Sequence, residues 1–195
     1  MKMSSILNGG EVVTKEAVPL PGVFYAYQMP AEGTDEAIAL DLLTEILSTG
    51  RSSRLYQKLV YQDKCASDIS AYVDLREMPG LLWIYALANE EDDEIPPIEI
   101  AIEKVLLEIR SNGVTEIELQ KAKNKTEMRL IASRISASGK ADQLAHARVF
   151  FNDTSIANSI IDRYLAITTE DIRKAAAKYI LPEKRCSKDC RHWSY

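Results

Sequence analysis

The chain is predicted to be α+β, with helices packed on one face of an antiparallel sheet. Three observations point there. Residues 22–29 are dense in aromatic and branched side chains (Val23, Phe24, Tyr25, Tyr27), the composition of a strand. Residues 66–88 hold two strand patterns on either side of Met78-Pro79-Gly80, which reads as an antiparallel hairpin. Residues 34–48, and most of the chain after residue 95, instead repeat apolar residues at helical spacing. Strand, helix, hairpin and then several helices is the order of an α+β chain.

Residues 1–17 read as an irregular N-terminal segment, with Asn8-Gly9-Gly10 as a turn signal. Pro19 and Pro21 bracket a loop before the first strand, and Pro30 and Gly33 end that strand. Thr34 can cap the next helix, and Asp35 and Glu36 suit its positive N-terminal end. Ala39, Leu42, Leu43, Ile46 and Leu47 form its buried stripe. Gly50 stops it, because glycine accepts the left-handed backbone of a helix end. Ser52 or Ser53 can then cap a second, shorter helix with Leu55 and Leu59 on one face. Arg54 is expected to bond the carbonyls at a helix end.

In the hairpin, Ile69, Ala71, Val73 and Leu75 alternate with polar neighbours, the pattern of a strand with one wet face. Residues 81–88 are more continuously apolar, and Trp83 and Tyr85 are expected in the core. The acidic run at 90–94 reads as a solvated loop. Pro96 and Pro97 suit a first helical turn, and Asn112-Gly113 closes that helix. Thr115-x-x-Glu118 is a capping-box pattern before a long helix, with a break expected at Gly139. Further helices are expected over 141–151 and 154–166, and a last one capped by Thr168 or Thr169 and ended before Pro182. At least one more strand is needed for a comfortable sheet. Residues 185–195 read as a flexible tail.

The chemistry legible in the chain is sparse. With 195 residues the chain can bury a substantial core. A net charge of −5 argues against nucleic acid, since no basic surplus exists to neutralise phosphates. No apolar run approaches the ~18 residues of a membrane span. Residues 1–11 carry one lysine and no apolar stretch of signal-peptide length. The two histidines, His146 and His192, are far apart, so neither His-x-x-Glu-His nor its reverse can be built. No Gly-x-Ser-x-Gly elbow or phosphate-binding Gly-x-x-x-x-Gly-Lys loop occurs. Cys65 has Lys64 beside it but no histidine partner, and is read as structural. Cys186-x3-Cys190-x-His192 offers three ligands where a structural zinc site needs four. The residues therefore assign no catalytic, cofactor-binding or metal-binding site to this chain.

One stretch carries a resemblance. Asp35-Glu36-Ala37-Ile38-Ala39-Leu40, followed by Ile46-Leu47-Ser48-Thr49-Gly50-Arg51-Ser52-Ser53-Arg54-Leu55-Tyr56-Gln57-Lys58-Leu59, resembles the pitrilysin (insulinase) family of zinc metallopeptidases. Mitochondrial processing peptidase and insulysin belong to that family. The resemblance resumes at Tyr164-Leu165-Ala166-Ile167-Thr168-Thr169-Glu170-Asp171-Ile172 and at Ala175-Ala176-Ala177-Lys178-Tyr179-Ile180-Leu181-Pro182. It covers 18–184, with Gly50, Ser52, Ser53, Arg54, Leu55 and Tyr56 as its motif, and leaves 185–195 as a tail that does not match. In that family a half-enzyme has two domains of similar α+β fold, the first with the inverted zinc motif and the second without metal. Two halves close around a peptide.

The chain resembles the second, inactive kind of domain, lacking its opening strand and helix. Val60 and Ser67 stand where the family's substrate-assisting half has an arginine and a tyrosine, and neither can replace those donors. The resemblance therefore implies a non-catalytic domain. It would help enclose the peptide chamber and pack on a zinc-bearing domain of the same or a partner chain, with the zinc held there. The alternative is a structural or assembly subunit of the same fold. Apolar surface meant for the other domain would favour self-association.

Overall fold

The computed structural model describes residues 9–16, 20–89 and 95–192. Five strands form one sheet: β1 (Gly10–Glu16), β2 (Gly22–Gln28), β3 (Ala66–Asp74), β4 (Leu81–Ala88) and β5 (Arg185–His192). Their order across the sheet is β1-β5-β2-β4-β3. The expected hairpin is present as β3 and β4, paired antiparallel. The sheet is mixed, because β1 runs parallel to β5 while the other neighbours are antiparallel.

Both chain ends depart from expectation. The segment read as irregular supplies β1, and the segment read as a tail supplies β5. β5 lies between β1 and β2, so the last strand of the chain joins the first two. Its residues, Arg-Cys-Ser-Lys-Asp-Cys-Arg-His, have weak strand propensity and no continuous apolar face. Pairing on both edges, which satisfies the backbone groups, makes the strand where local preference does not. The acidic run at 90–94 and the turn signal at Asn8 lie outside the described residues.

The helices follow their caps. In α1 (Asp35–Ser48) the Thr34 hydroxyl accepts from the Ala37 N–H, as expected. α1 is buried nearly all round, including Ile38, Leu40 and Asp41 beyond the expected stripe. A helix with so little wet surface is a central core element. α2 (Ile95–Asn112) has Pro96 and Pro97 in its first turn, where a missing N–H costs nothing. α3 (Glu116–Ser133) opens with the Thr115–Glu118 capping box. The following break falls at Arg134–Ser136, not at Gly139. Ser136 caps α4 (Ala137–Phe151) through the Gly139 N–H, so that glycine sits in a first turn. α5 (Ile156–Ala166) and α6 (Thr169–Tyr179) complete the set, the latter with a Thr168–Asp171 capping box.

α1 and α2 lie on the sheet, and α3, α5 and α6 pack against them. The core between the layers is built from Val23, Tyr25, Leu82, Ile84 and Ala86 of the sheet and the leucines of α1. At one end a polar clamp ties β2, β5 and α2 together. Arg185 stacks 4.1 Å over the Tyr25 ring and pairs with Glu103, and the Tyr25 hydroxyl donates to Glu99 at 3.0 Å.

Candidate functional site

The family-like stretch forms the joint between α1 and β3. Gly50 takes φ +83° and would meet nothing if it carried a Cβ, so its backbone angle, not space, calls for glycine. The Ser53 N–H closes the turn on the Gly50 carbonyl at 3.0 Å. The chain then becomes helical at Arg54 and widens into a π-helical segment, Tyr56–Gln62, marked by the Asp63 N–H bonding the Lys58 carbonyl at 2.9 Å. Leu55 and Leu59 are fully buried on one face, and Tyr56 packs partly buried beside them. The expected serine cap is not made. The Ser53 hydroxyl is buried without a partner, and the Ser52 hydroxyl accepts from Lys121. Ser52 and Lys121 are both exposed, so no dry pocket activates that hydroxyl as a nucleophile.

Arg54 also departs from expectation. It forms two 2.7 Å bonds to the Glu118 carboxylate at the start of α3, instead of bonding helix-end carbonyls. A charged, bidentate acceptor is a stronger partner for guanidinium than a carbonyl. The Glu118 carboxylate also accepts from the Thr115 N–H and hydroxyl, each at 2.8 Å. The Arg54 bonds above all, and then those from Thr115, hold the Glu118 carboxyl down at a pKa of about 2. The motif's Arg54 thus ties the joint to the start of α3.

Val60 and Ser67 line one open depression with Tyr61, Lys64 and Asn89. The Ser67 hydroxyl is turned to the sheet, donating to the Ala88 carbonyl at 2.8 Å beside an irregularity in the β3–β4 register. No arginine lines the depression.

The zinc implied by the resemblance finds no donor set here. Among the described residues no three His, Cys, Asp or Glu side chains converge to hold a metal ion. Cys186 and Cys190 point to the same side of β5 but lie four residues apart, about 13 Å along a strand. Two Zn–S bonds of ~2.3 Å cannot span that. His146 lies 3.3 Å from Glu32 and stacks on Phe150, half-exposed on α4. Cys65 is buried beneath the joint, its thiol near the Leu59 carbonyl.

The face of the sheet opposite the helices is the larger surprise. Phe24 and Tyr85 stack across β2 and β4 with ring centroids 6.0 Å apart, and Trp83 stands opposite Ala26 in the same register. These side chains are half-buried, not core. The inward residues of β4 are Leu82, Ile84 and Ala86. Because every residue of 81–88 except the alanines is large and apolar, alternation could not reveal which set faced the helices. Phe24 and Trp83, with Leu20, Leu87 and Cys186, wall a shallow concavity of about 690 Å³.

Comparison with known proteins agrees with this picture. A zinc protease of Helicobacter pylori, PqqE, is 24% identical over 168 residues, which is 86% of this chain and 37% of that relative. The chain therefore spans well under half of the curated relative. A solved Helicobacter pylori protease superposes with a TM-score of 0.85 at 22% identity, over 94% of this chain and 44% of its own. The inactive peptidase domain of a Bordetella parapertussis protein superposes with a TM-score of 0.80 at 23% identity, over 93% of this chain and 96% of its own. The model of one family, the peptidase M16 inactive domain, matches residues 4–126, which hold the joint, the hairpin, α1, α2 and the first part of α3. On that match the chain belongs to the peptidase M16 inactive domain family.

Proposed function

We propose that the chain is the non-catalytic domain of a zinc peptidase, packed through its bare sheet face against a zinc-bearing His-x-x-Glu-His domain and helping to wall the chamber where peptide is cut. The observation that carries this is the one-sided sheet. Among the described residues helices cover one face, while the other presents Phe24 and Trp83 around a shallow concavity, with Tyr85 stacked on Phe24. An apolar face of this kind is a cohesive surface that water leaves uncovered at a cost. The curated relative is a zinc protease whose chain extends well beyond the matched part, which leaves room for the second domain. In this reading the zinc and the chemistry belong to that domain, and the present chain supplies shape.

The test pairs this chain with a separately produced zinc-bearing domain of the same protein. Alone, the chain is expected to bind no stoichiometric zinc and to show no chelator-sensitive peptide cleavage. Together, the two should form a complex that Trp83→Glu weakens at least about tenfold, the effect of losing one buried aromatic anchor. Chelator-sensitive cleavage by the chain alone would defeat the proposal. The engaged Ser67 hydroxyl also suits a structural subunit with no peptidase role. Stable capture of a partner lacking the zinc motif would favour that second reading.

A further inference from the structure

A second concavity lies on the helical side, far from the bare sheet face. It occupies about 490 Å³ where the end of β3 meets α1, α3, α4 and α5. That size falls in the ~300–1,000 Å³ range of small-ligand pockets, and its make-up is of the same kind, an apolar body with a few convergent polar groups. Ile38, Val73, Leu75, Leu130 and Ile160 supply the apolar floor. Gly33 holds one edge at φ +86°, against the ring of Phe151, where a Cβ would collide at 2.5 Å.

The polar groups are unevenly matched. Asp41, only 8% exposed, projects from the middle of α1 into this wall. Its Oδ2 accepts from the Tyr164 hydroxyl at 2.6 Å and lies 3.4 Å from Arg129, whose side chain is 55% exposed. Both contacts fall on Oδ2, so among the described residues Oδ1 is left for another donor. A carboxylate can accept about four hydrogen bonds, so this one keeps capacity for a further donor. Burial, and then the neighbouring Asp41 charge, push the Tyr164 hydroxyl well above the ordinary phenol range, so it remains a donor to Asp41. Glu32 and Asp142 add two more carboxylates to the lining. The second guanidinium, Arg163, is already engaged by Asp35 and the Gly33 carbonyl, each at 2.7 Å. Asp41 thus has Arg129 at 3.4 Å and Glu32 has the His146 imidazole at 3.3 Å, and the lining holds three carboxylates against two guanidinium groups.

We propose that this cavity binds a small amphipathic cation, an apolar or aromatic body carrying one ammonium or guanidinium head. The head bonds Asp41 Oδ1, with Glu32 and Asp142 near its charge. The body lies on Ile38, Leu130 and Ile160. The same chemistry occurs in a free arylalkylamine and in a basic side chain next to an apolar residue in a peptide.

The test is an NMR titration of the whole chain with phenethylamine, with its neutral and anionic counterparts phenylethanol and phenylacetate, and with acetyl-Leu-Arg amide. Phenethylamine or the peptide should shift the signals of Val73, Leu75 and Ile160 with a Kd at or below about 1 mM, a modest affinity for so few contacts. Phenylethanol should bind more weakly, and phenylacetate should not bind there. The tighter of the two cations identifies the source. Asp41→Asn, which keeps an acceptor for Tyr164, should weaken the cation about tenfold and leave phenylethanol unchanged. Ile160→Trp, or the smaller Ala157→Leu if the former fails to fold, should fill the space and abolish binding of all probes without lowering thermal stability. Absence of binding by both cations would overturn the inference. So would equal binding of phenylacetate, or undiminished binding in the filled variant.

Discussion

Glu118 does two things at once. Its carboxylate completes the Thr115 capping box and receives both bonds from Arg54, so the α1–β3 joint and the start of α3 share one anion. That anion is favoured by folding, because its pKa falls from the ordinary 4.5 to about 2. A depressed carboxylate adds stability above its unfolded pKa and loses it as pH falls through the folded value. The variant Glu118→Gln keeps a capping side chain but no charge. It should be less stable than the native chain by about 1 kcal/mol at neutral pH, a partly exposed ion pair being worth little more. The gap should close as pH drops from about 4.5 towards 2, followed by urea unfolding across that range. A gap that does not change with pH would show that the charge contributes nothing. Asp41 is the other residue whose placement matters. It is a buried acid in a helix whose other buried residues are all apolar except Thr44, and it is joined to Tyr164 from 123 positions away.

At the scale of elements, β5 decides whether the sheet extends beyond β2. It is the only neighbour of β1 among the described strands, and it also pairs along β2. Arg185 at its start carries the clamp to Tyr25 and Glu103, while Arg110 bonds the Ile180 carbonyl at 3.0 Å just before the strand. Removing residues 185–195 should strip β1 of its partner and bare one edge of β2. The expected outcome is loss of the cooperative thermal transition, since a domain has only about 5–15 kcal/mol to lose. The milder Arg185→Met should cost roughly 2 kcal/mol, through one cation–π contact and one charged hydrogen bond. If the truncated chain melts as sharply as the full one, β5 is not integral to the fold. The helices are less exposed to such failure, because their caps are local and four of them are closed by Thr or Ser side chains.

Among the described residues the molecule is a layered body, with helices on one side of the sheet and none on the other. Among the described residues no helix is long and apolar enough to cross a membrane. Copies of this chain, alone in solution, should associate through the helix-free face of the sheet. Sedimentation at increasing concentration is expected to show a rising mass for the native chain. The double variant Phe24→Lys with Trp83→Glu should remain monomeric with unchanged helical content. A native chain that stays monomeric at all concentrations would count against the face as a docking surface.

Much of this architecture is legible in the residues themselves. Thr34, Thr115 and Thr168 announce their helices because a cap is made within four residues, and the hairpin announces itself by turn chemistry between two apolar runs. The joint from Gly50 to Tyr56 is readable for the same reason, since its backbone requirement is local. The missing zinc motif is readable too, because two distant histidines cannot build it. The amino-acid order alone thus determined the class of fold, the family motif and the absence of His-x-x-Glu-His from this chain. Only the tertiary structure decided that the two ends become strands, that Trp83 faces outward, that Arg54 meets Glu118 across 64 positions, and that Asp41 lines a cavity. Each of these depends on which distant segments become neighbours, and no local pattern of polarity encodes that choice.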